Sequence, residues 1–410
     1  MLDIARRSPF YARKLAHLPT HLDSLDEWRS VPTTDKREIV ADITAHPPFG
    51  SRGQRPRGEG LAHVVTTSGT SGIGQEAYPI SVEDETAIFQ MEARGFQWAG
   101  VNSESIVLNT LPMTTSAAGQ WYYHGLRLLG ATVLQVGPMP TDRKVAQLIQ
   151  FAPDVVVGTP SYLFHLSIRA RELGHNPDQL GVRAVVVAGE SWDVRWMERL
   201  GGLWGATVFE QYGSTQRAMA WACPRGAAPH GERGVLHALE DYGLYEVIDP
   251  DSGRPLAEGE SGELVITPFC AAASPLIRFA TGDRVRIAHP CPCGRPGLGF
   301  VSGLASRYDN MIKVKGQNLW PEALDEAVFS SGVAEFEAQV ELDERGREIL
   351  KITVEAESTE VCEPVVRAVR AKTGLTPDVI IVPPGAVTRG IADNFIKRTR
   401  LRDRRGGRPT

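Results

Sequence analysis

The feature of this sequence that most constrains its fold is a regular alternation of two kinds of segment between residues 105 and 213. Each short run of strand-forming residues is followed by a longer stretch with helical periodicity. The strand-like runs are SIVLNTLP, ATVLQVG, DVVVGTP, VRAVVVAGE and ATVFEQYG, and the helical stretches between them are GQWYYHGLRLLG, RKVAQLIQFA, YLFHLSIRARELG and VRWMERLGGLWG. This is the pattern of strands joined by crossover helices, and it predicts a large α/β domain.

The pattern changes around residues 242–287, where turn residues instead of helices separate the strand-like runs. These runs, YGLYEVIDP, GELVITP and RVRIA, predict antiparallel strands or a small β-barrel-like subdomain. After SRYDNMIKVKG, the order helix, strand, strand, helix, strand predicts a compact α+β unit of about 100 residues. We therefore predict an N-terminal domain over residues 1–308 and a small, mobile C-terminal domain over residues 309–410, with a hinge near Asp309.

Composition excludes several classes of function. The chain has 410 residues and a formal net charge of -5, so nothing indicates a polyanion such as nucleic acid as its main partner. No apolar segment of signal-peptide length opens the sequence and no run of about 18 apolar residues occurs, which predicts a cytoplasmic protein without a membrane partner. The basic C-terminal run IKRTRLRDRRGGR is typical of a solvated end.

A segment rich in small and hydroxyl-bearing residues, Thr66–Gly72, follows a strand-like run that ends at Val65. Its backbone N–H groups, hydroxyls and glycines suit the binding of a phosphate. The spacing G-x-x-x-x-G-K that defines a Walker loop is absent, which excludes a P-loop NTPase. By itself the segment is equally typical of a flexible surface loop.

Further segments occur in a fixed order around this loop. With the loop in its place, the order is SPFYARKLA, LDEWRSVPTTDKREI, the loop itself, EQYGSTQ, TGDRVRI and SRYDNMIKVKGQNLWP. Together these segments resemble the phenylacetate-coenzyme A ligase-like family of adenylate-forming enzymes. The resemblance covers nearly the whole chain. It implies a two-step reaction in which a carboxylate attacks the α-phosphorus of ATP, releasing pyrophosphate, and the acyl group then passes to coenzyme A. Mg²⁺ is the implied metal for the phosphates.

The resemblance implies a role for each matching residue. Ser68, Gly69, Thr70, Ser71 and Gly72 would hold the β- and γ-phosphates, Gly189 and Glu190 would lie along the adenine pocket, and Tyr212, Gly213 and Ser214 would contact the adenine, with Thr215 on the α-phosphate and Gln216 at Mg²⁺. Two positions depart from the family. Ile73 stands where relatives commonly have a lysine, and Gln216 where most have a glutamate, although hard cations prefer carboxylate oxygens.

Three charged residues complete the implied nucleotide site. Asp283 would accept hydrogen bonds from both ribose hydroxyls, and Arg307 would contact the ribose and phosphate. Lys397, from the match of IKRTRLRDRR to the family's C-terminal motif, would reach the α-phosphate only when the C-terminal domain closes. An ordinary turn aspartate and an ordinary surface lysine are the alternatives for Asp283 and Lys397.

The cysteines predict reduced thiols or a metal site, because their spacing does not suit a disulfide framework. The segment CPCGRPG resembles a family element that pairs with an upstream Cys and His, which implies a structural Zn²⁺ held by Cys223, His237, Cys291 and Cys293. His230 is an alternative ligand to His237, and unliganded thiols remain an alternative to a metal.

The acid and the final acceptor are less defined by the sequence. Residues 119–124 (GQWYYH) match the stretch that lines the carboxylate pocket in relatives, and an aromatic lining suits an aryl acid, although such a cluster is also typical of a core. The alternatives to coenzyme A are an amine or a carrier-protein thiol, and a third possibility is a nucleotide-binding protein that has lost catalysis. The family resemblance also suggests a homodimer.

Overall fold

Short helices and a two-stranded hairpin precede the main sheet. In this computed structural model, residues 2–53, 60–67, 74–387 and 400–405 are described. The first elements are α1 (Leu2–Arg6), α2 (Pro9–Lys14), α3 (Leu25–Arg29), α4 (Lys36–Ala45), β1 (Leu61–Thr66) and β2 (Ala77–Ser81). Strands β1 and β2 pair antiparallel, with Thr66 opposite Ala77. The hairpin therefore brings together the two ends of the segment that contains the Ser/Thr/Gly-rich loop.

The predicted alternation of strands and helices forms the centre of the molecule. Its elements are α5 (Val82–Trp98), β3 (Ile106–Asn109), α6 (Ala117–Leu128), β4 (Thr132–Gln135), α7 (Thr141–Phe151), β5 (Val155–Gly158), α8 (Pro160–Glu172), β6 (Ala184–Ala188), α9 (Val194–Trp204) and β7 (Thr207–Gly213). Five strands pair in parallel in the order β4, β3, β5, β6, β7. Buried valines dominate the inner strands because helices cover both faces. The predicted α/β class is confirmed.

Antiparallel strands extend this sheet and build a second one. The elements are β8 (Met219–Ala222), β9 (Val235–Ala238), β10 (Gly243–Ile248), β11 (Ser261–Pro268), β12 (Phe279–Arg286), β13 (Gly299–Val301) and β14 (Ser306–Arg307). Strands β8, β9 and β13 continue the large sheet beyond β7, which gives it eight strands. Strands β10, β11, β12 and β14 form the separate antiparallel sheet predicted for residues 242–287.

The C-terminal elements have the predicted order. They are β15 (Ile312–Val314), β16 (Gln317–Leu319), α10 (Pro321–Phe329), β17 (Phe336–Leu342), β18 (Glu348–Glu355), α11 (Cys362–Thr373), β19 (Asp378–Val382) and β20 (Leu401–Asp403). The sheet order is β19, β18, β17, β20, with β17 and β18 antiparallel and the outer pairs parallel.

The basic C-terminal run is partly built into this sheet, so the expectation of a solvated end is wrong for Arg400 and Leu401, whereas residues 402–404 are exposed. Strand β20 pairs in parallel with β17, with Leu401 opposite Ala338. Arg400 is 8% exposed, and its Nε and Nη2 donate to the two carboxylate oxygens of Glu335 at 2.7 and 3.1 Å. A paired, buried arginine anchors the segment because burying the charge without a partner would be unfavourable.

The C-terminal elements pack against helix α9 of the larger part. The rings of Trp196 and Phe329 lie 6.4 Å apart, and Arg195 Nη1 donates to the carbonyl of Ser330 at 2.8 Å. The guanidinium of Arg400 lies 5.8 Å from the Trp196 ring centroid. None of the helices in the described ranges combines the length and the apolar character that crossing a membrane requires.

Candidate active site

The parallel strands of the large sheet end on one side, where α/β proteins place their ligands. Strand β7 ends there with Tyr212 and Gly213 and continues into a tight turn. The N–H of Ser214 donates to the carbonyl of Ala218 at 3.0 Å, and the N–H of Arg217 donates to the carbonyl of Ser214 at 2.9 Å. This turn fixes Thr215 and Gln216 immediately beyond the sheet.

Tyr212, Asp283 and Arg307 form one connected cluster. The hydroxyl of Tyr212 donates to Asp283 Oδ2 at 2.5 Å, and Arg307 Nη1 donates to Asp283 Oδ1 at 3.1 Å. Strands β12 and β14 bring the two charged residues together, since Asp283 lies opposite Arg307 in their register. Burial raises the pKa of Tyr212 well above its ordinary value, and the Asp283 charge adds to this, so the hydroxyl stays a donor.

The same arginine connects the cluster to the predicted hinge. Arg307 Nε and Nη2 donate to the two carboxylate oxygens of Asp309 at 2.8 and 3.0 Å, a two-point ion pair. Neighbouring carboxylates raise the pKa of Arg307 against the opposing effect of burial. Arg307 is therefore bonded both to Asp283 and to Asp309, the first residue of the proposed C-terminal domain.

Gly189 and Glu190 lie directly after strand β6, beside the end of β7, since Ala188 lies opposite Gln211 in the parallel register. Gly189 has a φ of 87°, a left-handed conformation that favours glycine. The Glu190 carboxylate accepts the N–H of Ser161 at 3.0 Å and its hydroxyl at 2.7 Å. These bonds satisfy free groups at the beginning of α8 and fix the end of β6 against it.

A second cluster surrounds Gln216, and its three other members were not among the predicted site residues. Gln216 Nε2 donates to Glu76 Oε1 at 3.0 Å, and the Tyr78 hydroxyl donates to the same oxygen at 2.7 Å. Lys36 Nζ lies 3.3 Å from Glu76 Oε2. Since the carboxylate accepts from the amide nitrogen, the carbonyl oxygen of Gln216 is the atom that remains for a ligand. Lys36 lies in the quoted segment LDEWRSVPTTDKREI, whereas no sequence signal marked Glu76.

Glu76 also joins the two ends of the Ser/Thr/Gly-rich segment through hydrogen bonds to Thr67. The N–H of Thr67 donates to the carbonyl of Glu76 at 3.1 Å, and the N–H of Glu76 donates to Thr67 Oγ1 at 3.0 Å. The two ends of that segment are thereby fixed beside Gln216. The predicted phosphate-binding residues Ser68, Gly69, Thr70, Ser71 and Gly72, the neighbouring Ile73, and Lys397 all lie outside the described residues.

Helix α6 carries the aromatic stretch predicted as either pocket or core. Trp121 and Tyr122 are 2% and 1% exposed and belong to the main hydrophobic core. The Tyr122 hydroxyl donates to Gln211 Oε1 at 2.5 Å. His124 lies further along the helix, and its ring stacks on Phe89 of α5 with centroids 4.4 Å apart. Trp121 and Tyr122 therefore act as core residues.

The four predicted metal ligands converge at one edge of the large sheet. The ligand atoms of Cys223, His237, Cys291 and Cys293 all lie within 4.8 Å of one another. Cys223 Sγ is 3.8 Å from Cys291 Sγ, and Cys293 Sγ is 3.4 Å from His237 Nε2. A tetrahedral ion with Zn–S bonds of about 2.3 Å places its sulfurs about 3.8 Å apart. His230 is exposed and does not belong to this group.

This chain is similar to known proteins over most of its length. The family model described as AMP-binding enzyme matches residues 13–268. Phenylacetate-coenzyme A ligase of Thermus thermophilus is 28% identical, over 94% of this chain and 90% of that protein. The Escherichia coli phenylacetate-coenzyme A ligase is 25% identical, over 93% and 88% of the two chains.

Solved structures of one similar protein, 2-hydroxyisobutyryl-CoA ligase, cover nearly the whole chain at 25% identity. In the postadenylation state with R3-HIB-AMP, its TM-score is 0.86 over 98% of this chain and 87% of that one. In an open conformation with 2-HIB-AMP and CoA, the TM-score is 0.71, with 98% and 88% covered. The predicted resemblance is confirmed, and this chain belongs to the AMP-binding enzyme family.

Proposed function

We propose that this protein is an AMP-forming acid–coenzyme A ligase. It joins a carboxylic acid to ATP as an acyl-adenylate, with release of pyrophosphate, and then transfers the acyl group to the thiol of coenzyme A. The observation that carries the proposal is the Tyr212–Asp283–Arg307 cluster, which lies with Gln216 at the ligand-binding end of the sheet. ATP–pyrophosphate exchange across a panel of aryl and alkyl acids tests the first step. Exchange that no acid stimulates would contradict the proposal.

The nature of the acceptor is tested separately. With an acid that supports exchange, coenzyme A is expected to yield an acyl thioester, which mass spectrometry detects. An acyl-adenylate that coenzyme A leaves unchanged, but that an added amine consumes, would instead support an amide ligase.

Asp283 is proposed to hold the ribose. Each of its oxygens already accepts one hydrogen bond from the protein, from Arg307 or from Tyr212. A carboxylate offers about four lone-pair sites, so both oxygens can also accept a ribose hydroxyl. The bonds to Arg307 and Tyr212 fix the direction in which the remaining lone pairs point.

Replacing Asp283 by alanine is expected to raise the KM for ATP about 10- to 100-fold, because hydrogen bonds to a charged group contribute about 1.5–3 kcal/mol. The measurement is pyrophosphate release at varied ATP. Asp251→Ala is the matched control, since Asp251 is an exposed aspartate of the turn between β10 and β11. An unchanged KM for ATP in Asp283→Ala would show that Asp283 does not bind the ribose of ATP.

The surroundings of Gln216 suit its use as a Mg²⁺ ligand, although its oxygen belongs to a neutral amide and not to a carboxylate. The amide carbonyl of Gln216 is proposed to contact the ion, and Glu76, which Lys36 and Tyr78 already engage, orients the amide. When bound, Mg²⁺ would neutralise charge on the phosphates. The protein's own contribution is to hold one neutral oxygen in a fixed direction.

An exchange of side chains tests this pairing. Gln216→Glu alone is expected to reduce the rate of pyrophosphate release about tenfold, because it places a second carboxylate beside that of Glu76. The double variant Glu76→Gln, Gln216→Glu is expected to recover most of this loss. The rates are measured over a Mg²⁺ titration, with Glu76→Gln as the other single variant. Strictly additive effects on the activation free energy would show that the two residues act independently.

The C-terminal domain, residues 309–410, is proposed to move about Asp309 between the two half-reactions. The higher TM-score to the postadenylation state than to the open conformation of the same ligase supports a discrete arrangement of the two parts. Lys397, three residues before the anchored Arg400, is proposed to assist adenylation.

The four-residue Cys/His group is proposed to bind a structural Zn²⁺. Three sulfurs and one imidazole nitrogen with these separations fit a closed tetrahedral site, which supplies stability and leaves no position open for a substrate. It would join the end of β8 and strand β9 to the loop before β13.

A further inference from the structure

Arg217 is the most unusual charged residue of the described chain. It is 1% exposed, and Nε, Nη1 and Nη2 all lack a hydrogen-bond partner among the residues that the structure describes. Its backbone has a φ of 70°, a left-handed conformation that residues other than glycine rarely adopt. Burying a guanidinium without partners destabilises a free protein. Within the described residues, Arg217 therefore lacks the ion pairs and hydrogen bonds expected of a structural arginine.

The position of Arg217 places it next to the proposed reaction centre. It directly follows Gln216 in the turn between β7 and β8 and donates its N–H to the carbonyl of Ser214. Tyr212 and Asp283 mark the adenosine side of that turn. Arg217 is thereby the immediate neighbour of Gln216, the proposed Mg²⁺ ligand, close to where the acid and ATP would meet.

The electrostatic neighbours of Arg217 lie on other elements. Its charge helps to lower the pKa of His63 on β1, where burial has the larger effect, and it opposes the rise of the pKa of Cys270 to about 11 that burial causes. His124 of helix α6 also acts on His63. This helix contains the stretch matched to the carboxylate pocket of relatives. Arg217 is thus within electrostatic reach of His63 on β1 and of Cys270 after β11, and His124 connects helix α6 to the same region through His63.

A second polar group within electrostatic reach of Arg217, His63, is also only partly satisfied. His63 Nδ1 lies 3.1 Å from Glu85 Oε1, so the Glu85 carboxylate already has this imidazole as a partner. His63 Nε2 is buried without a partner among the described residues. On the apolar side, Cys270 Sγ lies 3.7 Å from Met91 Sδ. Two polar groups that lack partners in the same region indicate that a ligand supplies the missing contacts.

We infer that Arg217 binds a second carboxylate of the acid substrate, distinct from the carboxylate that attacks ATP. The inference rests on the proposed function and narrows its substrate class to dicarboxylic acids. A carboxylate matches the planar donor pattern of a guanidinium at two points and neutralises its charge. Selection then follows from burial, because an acid without the second group leaves the guanidinium unpaired.

Matched pairs of acids test this inference: phenylacetate with 4-carboxyphenylacetate, and butanoate with glutarate. We expect kcat/KM for pyrophosphate release to be at least about 10- to 100-fold higher for a dicarboxylic member. Arg217→Met is expected to abolish that preference and Arg217→Lys to keep part of it, with the KM for ATP unchanged in both. Equal use of both members by the unmodified enzyme, or an equal loss for both in Arg217→Met, would overturn the inference.

Thermal stability provides a readout that does not depend on turnover. In ligand-free protein, Arg217→Met is expected to raise the Tm by about 2–4 °C, because it removes an unpaired buried charge at an unchanged backbone conformation. The preferred dicarboxylic acid is expected to raise the Tm of the unmodified protein and to leave that of Arg217→Met unchanged. A lower Tm for ligand-free Arg217→Met would show a structural role and overturn the inference. If no acid supports pyrophosphate release, the proposed function fails, and the acid-dependent Tm shifts still decide whether Arg217 binds a dicarboxylate.

Discussion

Replacing Lys397 by alanine is expected to slow formation of the acyl-adenylate about 10²- to 10³-fold, the range found when one preorganised charge-stabilising group is removed. The family resemblance places this cation at the α-phosphate during the first half-reaction only. Transfer of a preformed adenylate to coenzyme A is therefore expected to proceed at the unmodified rate. Rapid-quench measurement of the adenylate, with the thioester step measured separately, checks both parts.

Lys372→Ala is the matched control for Lys397→Ala. Lys372 belongs to the same C-terminal unit and forms a 2.8 Å ion pair with Glu326, in which both side chains are more than 40% exposed. Exposed pairs of this kind contribute little, so both half-reactions should be unaffected. Adenylation at the unmodified rate in Lys397→Ala would show that the C-terminal run is wrongly matched to the family motif.

Replacing Cys291 by serine is expected to remove the bound zinc and to lower the free energy of unfolding by more than about 4 kcal/mol, as the loss of a structural metal can do. The ligand atoms come from three places along the chain and converge within 4.8 Å. Without the ion, the thiols and the imidazole would no longer hold these places together. Elemental analysis and denaturant unfolding measure the two effects.

The control for the metal is Cys362→Ser. Cys362 lies at the start of helix α11, away from the Cys/His group, and is only partly buried. Its replacement should leave the zinc content at one ion per chain. Absence of zinc from the unmodified protein purified without chelators, or an unchanged stability in Cys291→Ser, would contradict the structural-zinc proposal.

Local patterns in the sequence were sufficient to predict the main architecture. The five parallel strands, four of them with buried valines, and the helices between them follow from short-range periodicity, which local backbone preferences also favour. The C-terminal order of helices and strands was predictable on the same basis, because each element there also carries its own local pattern.

The C-terminal run shows where composition misled the prediction. Six consecutive described residues, 400–405, include four arginines, which indicates exposure when charge alone is considered. The carboxylate that accepts both hydrogen bonds from Arg400 belongs to Glu335, 65 positions earlier in the chain, and Asp325 Oδ2 lies 3.6 Å from Arg400 Nη1. Such a pairing depends on the parallel register of β17 and β20 and has no local sequence signal.

The candidate site was predictable only in part, for the same physical reason. Asp283 and Tyr212 belong to recognisable motifs, whereas Glu76 and Arg217 acquire their roles from contacts made after folding. Glu76 lies 140 positions from Gln216. The guanidinium of Arg217 is unusual only because it is buried without a partner among the described residues. In the sequence it is one of many arginines.

The measurement that tests the central claim most directly follows oxygen through the reaction. An acid labelled with ¹⁸O in its reacting carboxylate is incubated with ATP, Mg²⁺, coenzyme A and the unmodified enzyme. Attack of the carboxylate on the α-phosphorus predicts AMP that carries one ¹⁸O atom, together with unlabelled pyrophosphate. Formation of ADP, or of AMP without the label, would contradict the proposed adenylate.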